Sequence, residues 1–418
     1  MTTFKDPGQV VAGIDTHSLT HHVAVLAATG ARLGDREFPA TPAGHGAIAA
    51  FIASFGTVSR VGIEGTGSYG AALSRSLRAE GLSVAEVIRP KRAQRRRGKS
   101  DPIDAYAAAE QALANTHLPI PKDGDGVVEQ IRALLGVRRS AVKARASAMQ
   151  QIKSLLVTAP DQTRARWRSA SDKQLISGLA ATRPEAATLS VVAATTTALR
   201  ILARRYQHLS DEITAIEADL HVLVHQANPE LAAAFGIGIT TAAQILVTAG
   251  DNPVRLRSEA AFAALCGVAP IPASSGKTTR HRLNRGGDRD ANRALHTVAL
   301  VRMSHEPRTR DYVARRTTDG KTTKDIIRCL KRAIAREVWH LLTHPTPVPD
   351  ITDLRPLRVS KAITIDTAAR HFGHWSITIS RLERGELRDD NLATAYRTWL
   401  ATLPNATPTK RMLTLNSR

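Results

Sequence analysis

Aromatic residues are scarce in this chain: Phe, Trp and Tyr together supply 4% of its 418 residues. A core must therefore rest on Ala, Leu, Val and Ile, and a hydrophobic content of 43% is enough to build one. Cysteine is rarer still. Cys266 and Cys329 stand far apart, with no CxxC pair and no Cys/His zinc spacing. That excludes a disulfide framework and a zinc finger, and leaves two ordinary thiols in a reducing, cytoplasmic setting. Long uncharged apolar runs, a leader-like start and lipidation motifs are missing too, so no membrane attachment is expected. Negative charge is also short: 37 Asp and Glu face 58 Lys and Arg, a formal net charge of +21. A field of that sign favours a polyanion, and without a membrane the polyanion is nucleic acid.

The length suits two or three domains of roughly 100–200 residues each. The first, residues 8–120, reads as α/β. Val10–Asp15, His22–Ala28 and Arg32–Phe38 are β-rich runs separated by turn signals at Thr29-Gly30 and Gly34. Thr41 can cap a helix running through Ala47–Phe55. Val58–Glu64 is a fourth strand, Leu73–Ala79 a helix, Leu82–Ile88 a strand and Ala105–Ala114 a helix. Three strands, helix, strand, helix, strand, helix is the element order of a ribonuclease H fold.

The rest reads as mostly helical. In residues 127–228 a seven-residue repeat joins Val128, Leu135, Val142, Met149 and Leu156. A second seam runs Leu199, Leu202, Tyr206, Leu209, Ile213, Ile216, Leu220, Leu223 in alternating steps of three and four. Such spacing predicts a coiled coil, either between two segments of the chain or between two chains, and an oligomer is expected from it. Residues 160–195, interrupted by Pro160 and Pro184, show no assignable pattern. Residues 229–345 form another helical unit, opening on Phe235-Gly236-Ile237-Gly238-Ile239 before the apolar helix Thr241–Val247. Glycines at Gly236 and Gly238 between two helices resemble a helix-hairpin-helix, in which backbone amides approach a DNA phosphate. After Pro345-Thr-Pro347-Val-Pro349 comes a segment, 360–402, in which Ala369, Gly373, Ile379 and Leu382 keep helix-turn-helix spacing. Ser376–Arg384 would be its recognition helix.

Three constellations carry chemistry. Asp15 and Glu64 end the first and fourth strands, and Asp101 and Asp104 open the last helix of the α/β domain, three apart on one face. Four converging carboxylates repel unless a cation lies between them, and hard oxygen ligands suit Mg²⁺ or Mn²⁺. Singly each is weak: Asp15 could end a strand and Asp101 could be a plain N-cap. Arg89, Lys91, Arg92, Arg95, Arg96, Arg97 and Lys99 crowd immediately before Asp101, placed for a phosphate backbone. Ala273-Ser274-Ser275-Gly276-Lys277 precedes Arg280, Arg282, Arg285, Arg289 and Arg293; a serine there could be loop or nucleophile, and no Ser/His/Asp triad surrounds it. His17, His21 and His22 read as exposed turn and strand residues rather than a metal site.

At these residues the chain resembles the DEDD transposases of the insertion-sequence 110 family, with the related 116 and 902 elements. Gly13-Ile14-Asp15-Thr16-His17, Gly62-Ile63-Glu64-Gly65-Thr66-Gly67-Ser68-Tyr69 and Lys99-Ser100-Asp101-Pro102-Ile103-Asp104-Ala105 look like its acidic motifs. Gly236-Ile237-Gly238 through Ala242, Phe262–Pro270 and Ser274-Ser275-Gly276-Lys277 look like its C-terminal transposase domain, so the resemblance covers about residues 10–345. It implies a RuvC-like ribonuclease H domain, a coiled coil and a C-terminal domain with a nucleophilic serine. That serine would be Ser275 by position, with Ser274 its rival, forming a 5′-phosphoserine link to DNA. It further implies a homo-oligomer, dimer or tetramer, whose acidic and serine domains meet between protomers, and a bridge RNA that selects donor and target DNA. Gly236, Gly238, Lys277, Arg280 and Arg282 would bind nucleic acid. The segment after Pro345 lies outside the family's common core and looks like a small phage-repressor helix-turn-helix. Two other readings stay open: a RuvC-like structure-specific nuclease in which water attacks, and a non-enzymatic DNA-binding regulator.

Overall fold

The computed structural model describes residues 8–87, 100–115, 117–183, 190–274, 276, 281–282, 284, 286–345, 350–385, 387 and 389–404. The chain forms two compact units. The first comprises Met1–Glu129 with Ala249–Arg257. It contains strands β1 (Gln9–Thr16), β2 (Thr20–Ala27) and β3 (Arg32–Pro39), helix α1 (Pro42–Ala53), strand β4 (Thr57–Glu64), helix α2 (Ala71–Ala79), strand β5 (Val84–Val87) and helix α3 (Asp101–Ala114). The sheet order is β3-β2-β1-β4-β5. β1 pairs antiparallel with β2 and parallel with β4; β2–β3 is antiparallel and β4–β5 parallel. This mixed sheet with flanking helices is consistent with a RuvC or ribonuclease H-like fold.

The residue patterns explain these positions. Val10 to Ile14 in β1 are buried without a break, as a strand covered on both faces requires. β3, at the edge, carries exposed Arg32, Asp35, Arg36 and Glu37, which discourage pairing with another chain. Thr41 caps α1, its Oγ1 accepting from the Gly44 amide at 3.1 Å. α3 lies unusually close to the sheet. A Cβ on Gly13 would fall 2.0 Å from the Ala109 amide nitrogen, and one on Gly62 would fall 2.8 Å from the Ala112 side chain. Gly13 and Gly62 are neighbours across β1 and β4, so two bare backbones receive the alanine face of α3. The segment Ala249–Arg257 is stitched to this unit by backbone acceptors. Asn252 donates to the Pro121 carbonyl at 2.9 Å, Arg255 to Ile120 at 2.9 Å and Arg257 to Leu118 at 2.8 Å.

The second unit, Gln130–Thr248 with Ser258–Arg418, is helical among its described residues apart from one short hairpin. Helix α4 (Val127–Val157) enters it, followed by α5 (Asp161–Trp167), α6 (Asp172–Ala181) and α7 (Val191–Ala227). α5 and α6 fill the stretch the sequence pattern left unassigned. α4 and α7 lie antiparallel. Arg138 pairs with Glu217, with Nε to Oε1 at 2.8 Å. Arg145 reaches Ser210 at 3.5 Å, and Ile152 shares a core with Leu199 and Ala203. The apolar seam of α7 therefore has a partner within the chain, one of the two arrangements its spacing allowed: Ile213, Ile216 and Leu220 are buried here.

Then come α8 (Pro229–Ala233), α9 (Ile239–Ala249), α10 (Glu259–Leu265), the hairpin β6 (Ile271–Pro272) and β7 (His281–Arg282), α11 (Arg289–His305), α12 (Pro307–Thr318) and α13 (Thr323–Thr343). Last are α14 (Leu354–Ser360), α15 (Ile365–His371), α16 (Ser376–Glu383) and α17 (Asp390–Thr402). These four share a core of their own around Tyr396, Leu354, Ile379, Leu382 and Leu400. Arg358 makes a two-pronged ion pair with Glu383 at 2.6 and 2.9 Å, and the Tyr396 hydroxyl donates to the same carboxylate at 2.8 Å. Such a fully bonded pair tolerates burial. Gly373, between α15 and α16, has φ +67°, the left-handed turn a side chain would strain. No described helix is long and apolar enough to cross a membrane.

Candidate metal centre

The close seating of α3 decides where its first turn falls. Ser100 is the N-cap residue, Asp101 is the first helical residue, and Asp104 stands one turn on, 3% exposed. β1 delivers Asp15, 2% exposed, beside them. The ligand atoms of Asp15, His17 and Asp101 all lie within 4.8 Å of one another. His17 Nδ1 is 3.8 Å from Asp15 Oδ2, and its Nε2 is 3.7 Å from Asp101 Oδ1. Asp15 Oδ2 is buried without a hydrogen-bond partner among the described residues. Burial pushes the Asp15 carboxyl above its ordinary range; His17 and a hydrogen bond with Glu64 oppose this, while Asp104 and Asp101 add to it.

Glu64, at the end of β4, is half-buried. Its carbonyl accepts from Thr16 Oγ1 at 2.8 Å, tying the ends of β1 and β4 together. Beyond it the chain turns sharply through Gly65, φ +69°. The Gly70 amide donates back to the Gly65 carbonyl at 3.1 Å. A Cβ on Gly70 would stand 3.0 Å from the Glu64 carbonyl oxygen. The result is a cleft of about 690 Å³ whose lining includes Asp15, His17, Glu64, Ser68, Tyr69 and Glu86. A buried carboxylate oxygen without a hydrogen bond, two further acids and an imidazole form a donor set that fits a divalent cation.

Two of these residues escaped the sequence reading. His17 was expected to be a bland turn residue, yet it bridges Asp15 and Asp101. Its position two residues after a strand-end aspartate was the available signal. Glu86 lines the cleft because β5 runs parallel to β4, opposite Ile63; sequence spacing gave no hint of it. His21 also departs from expectation. It is 1% exposed and stacks on His45 with ring centroids 5.6 Å apart, because its strand position faces α1 rather than solvent. Burial lowers both imidazoles below their ordinary range, with His45 and His17 adding to the effect on His21.

The other expected site residues fall elsewhere. Arg89, Lys91, Arg92, Arg95, Arg96, Arg97 and Lys99 lie outside the described residues, as do Ser275, Lys277, Arg280 and Arg285. Ser274 and Arg282 are described and exposed. Gly236 has φ +78°, and a Cβ there would meet the Arg302 side chain at 3.2 Å; Gly238 has nothing within 4 Å. Arg302 donates to the Phe235 carbonyl at 2.9 Å and clamps Glu337 at 2.6 and 2.7 Å. Gly236 thus makes room for the buried Arg302, while a side chain at Gly238 would meet open space.

An acidic cleft at the strand ends of a ribonuclease H-like sheet is consistent with the class of metal-dependent nucleases. Comparison with known proteins is more specific. Residues 12–159 match the model of the IS110 DEDD transposases, and residues 228–314 match that of the IS116/IS110/IS902 family transposases. Two proteins of insertion elements are similar. The IS110 uncharacterized 43.6 kDa protein of Streptomyces coelicolor is 26% identical over 380 residues, spanning 78% of this chain and 92% of its own length. The IS900 uncharacterized 42 kDa protein of Mycobacterium paratuberculosis is 26% identical over 297 residues, 59% of this chain and 73% of its own. The chain belongs to the IS116/IS110/IS902 family of transposases, whose substrate is DNA. Helices α14–α17 lie beyond both matched regions.

Proposed function

We propose that the protein cuts and rejoins DNA to move an insertion sequence, using the acidic cleft and a serine nucleophile, with a bridge RNA choosing the sites. The observation that carries this reading is the Asp15–His17–Asp101 cluster, bordered by Glu64 and Asp104 at the ends of β1, β4 and the start of α3. Asp15, Glu64, Asp101 and Asp104 would hold Mg²⁺ or Mn²⁺, which supplies Lewis acidity to a phosphodiester. The Ser275 hydroxyl attacks phosphorus. The new Oγ–P bond replaces the P–O3′ bond, and the proton passes to the departing 3′ oxygen. The product is a 5′-phosphoserine link and a free 3′ hydroxyl, ready for rejoining. A serine hydroxyl is a poor nucleophile unaided, so the acids and the serine must act on one phosphate.

The terminal helices read as an added duplex-DNA reader. α15 and α16 flank the left-handed turn at Gly373, with Ala369, Ile379 and Leu382 in the core. Trp375 and Ile377, at the start of α16, are 82% and 60% exposed, where a recognition helix meets base edges.

The test is a denaturing-gel search for a protein–DNA adduct on an element-end substrate with Mg²⁺. Wild type and Ser274→Ala should give the adduct and Ser275→Ala should not, with DNA affinity kept in all three. An adduct lost only in Ser274→Ala moves the nucleophile by one residue. Cleavage without any adduct leaves the water-using nuclease.

A further inference from the structure

The hairpin bearing the serine pair leaves and re-enters the second unit through a narrow neck. Gly267 and Gly287 both have positive φ, +65° and +87°. A Cβ on Gly287 would fall 2.7 Å from the Gly267 amide nitrogen, and one on Gly267 would fall 2.7 Å from the Gly286 carbonyl oxygen. The two ends of the 268–285 segment are thus pressed together at bare backbone. Asn292 locks them further: its amide donates to the Cys266 and Gly267 carbonyls at 2.9 and 3.1 Å. The same Asn292 accepts a 2.6 Å hydrogen bond from Lys331 Nζ.

Lys331 stands in the wall of a cavity of about 420 Å³ that opens at this neck. α11 and α13 pack side by side and form its walls. α13 contributes Lys324, Arg328 and Lys331, at i, i+4 and i+7, and α11 contributes Arg289 and His296, at i and i+7. Asp288 is the one carboxylate among the described lining residues, and it is already engaged. It accepts from the Asp290 and Ala291 amides at 2.8 and 3.1 Å and from Thr248 Oγ1 at 2.8 Å. Among the described residues no carboxylate lies in ion-pair range of Arg289, Lys324 or Lys331, whereas Arg328 pairs with Asp325 at 2.7 Å. Burial, and then the Arg328 charge, hold Lys331 below the usual lysine range. Two helix faces thus converge like charges on a space that holds too little negative charge to balance them.

We propose that this cavity seats a DNA phosphodiester on Lys324, Arg328, Lys331 and Arg289, fixing the strand at the neck of the serine-bearing hairpin. The space admits a phosphodiester with its flanking sugars. His296 is the one ring among the described lining residues, so base stacking is not its design; the backbone is what it holds. The choice of DNA rests on the proposed function, since the hairpin's serine acts on DNA in that reading.

The test uses the full chain, a short DNA duplex and an RNA duplex of the same sequence, read by fluorescence anisotropy across a salt series. Lys324→Gln with Lys331→Gln should weaken DNA binding about tenfold and flatten the log–log salt slope by roughly one, the signature of one lost phosphate contact. Lys324→Gln alone changes an exposed side chain and leaves the fold intact; it should lower DNA affinity by a smaller factor in the same direction. An unchanged DNA slope in the double variant with unchanged melting overturns the proposal, as does a loss confined to the RNA duplex. Adduct formation is scored separately. No adduct with the wild type, together with the slope change in the double variant, refutes the serine reading and keeps the cavity. An adduct with no slope change does the reverse.

Discussion

The acidic cleft and the cationic cavity both depend on glycines where chain segments touch, but they use that contact for opposite ends. Under α3, Gly13 and Gly62 remove side chains so that a helix can rest on a sheet, and Asp15 and Asp101 are gathered around a half-exposed imidazole, His17. At the hairpin neck, Gly267 and Gly287 remove side chains so that the chain leaving α10 can meet the chain entering α11, and cations gather on the adjoining helices. The first arrangement concentrates negative charge that a metal would relieve; the second concentrates positive charge that a phosphate would relieve. The comparison teaches a division of labour: the acids should govern the rate of chemistry and the cations the affinity for DNA.

The sharpest way to break that division is Asp104→Asn. It removes one formal charge from the cleft and should slow strand cleavage by at least about a hundredfold, with DNA affinity unchanged. A variant that cleaves normally but binds weakly would invert the assignment. Next in size is Gly13→Ala. Its Cβ would fall 2.0 Å from a backbone atom of α3, which cannot yield as a side-chain tip can. A loss of about 3 kcal/mol in urea unfolding is expected, with reduced metal binding as α3 lifts and Asp101 and Asp104 move away from Asp15. Stability lost with metal affinity intact would show that the helix does not set the site.

The smallest effect concerns His21 and His45. Burial lowers both, so the folded protein binds fewer protons than the unfolded chain. Their contribution is full above the ordinary imidazole value of 6.5 and is lost as pH falls through the lowered folded values. Asp15 has the opposite sign: its raised carboxyl contributes stability below 3.8 that disappears as pH rises through its folded value. His45→Gln should therefore flatten the decline in melting temperature between about pH 7 and pH 5, by well under 1 kcal/mol of slope. A curve as steep as wild type would place the sensitivity elsewhere.

Much of the N-terminal sheet was legible because its strands speak in local patterns. Val10 to Ile14 is a run only a covered strand needs, and Asp101-Pro102 marks a helix start. His17 was passed over because its turn suggested exposure alone; its side chain is 39% exposed, yet it lies between Asp15 and Asp101, which are fixed by β1 and by the seating of α3. His21 was misread because nothing local says that α1 will cover it. The α7 seam was legible as a stripe with a partner, but its spacing left open whether that partner lay in this chain or in another, since a heptad pattern carries no address. Arg138 and Glu217, 79 residues apart, supply that address only in three dimensions. The serine pair speaks only through its motif, and Ser275 lies outside the described residues.

The antiparallel pair of α4 and α7 has a mechanical consequence. A helix of 37 residues is about 55 Å long, the span of roughly one and a half turns of duplex DNA. Its far end is held by α5 and α6, where Ile152, Leu175, Leu179 and Leu199 close a small knot of apolar packing. Stiff along its length and pinned at its tip, the pair is a lever. A tilt of about ten degrees at its root would carry the tip on the order of 10 Å, so a slight adjustment of packing near α8 becomes a displacement several base pairs long.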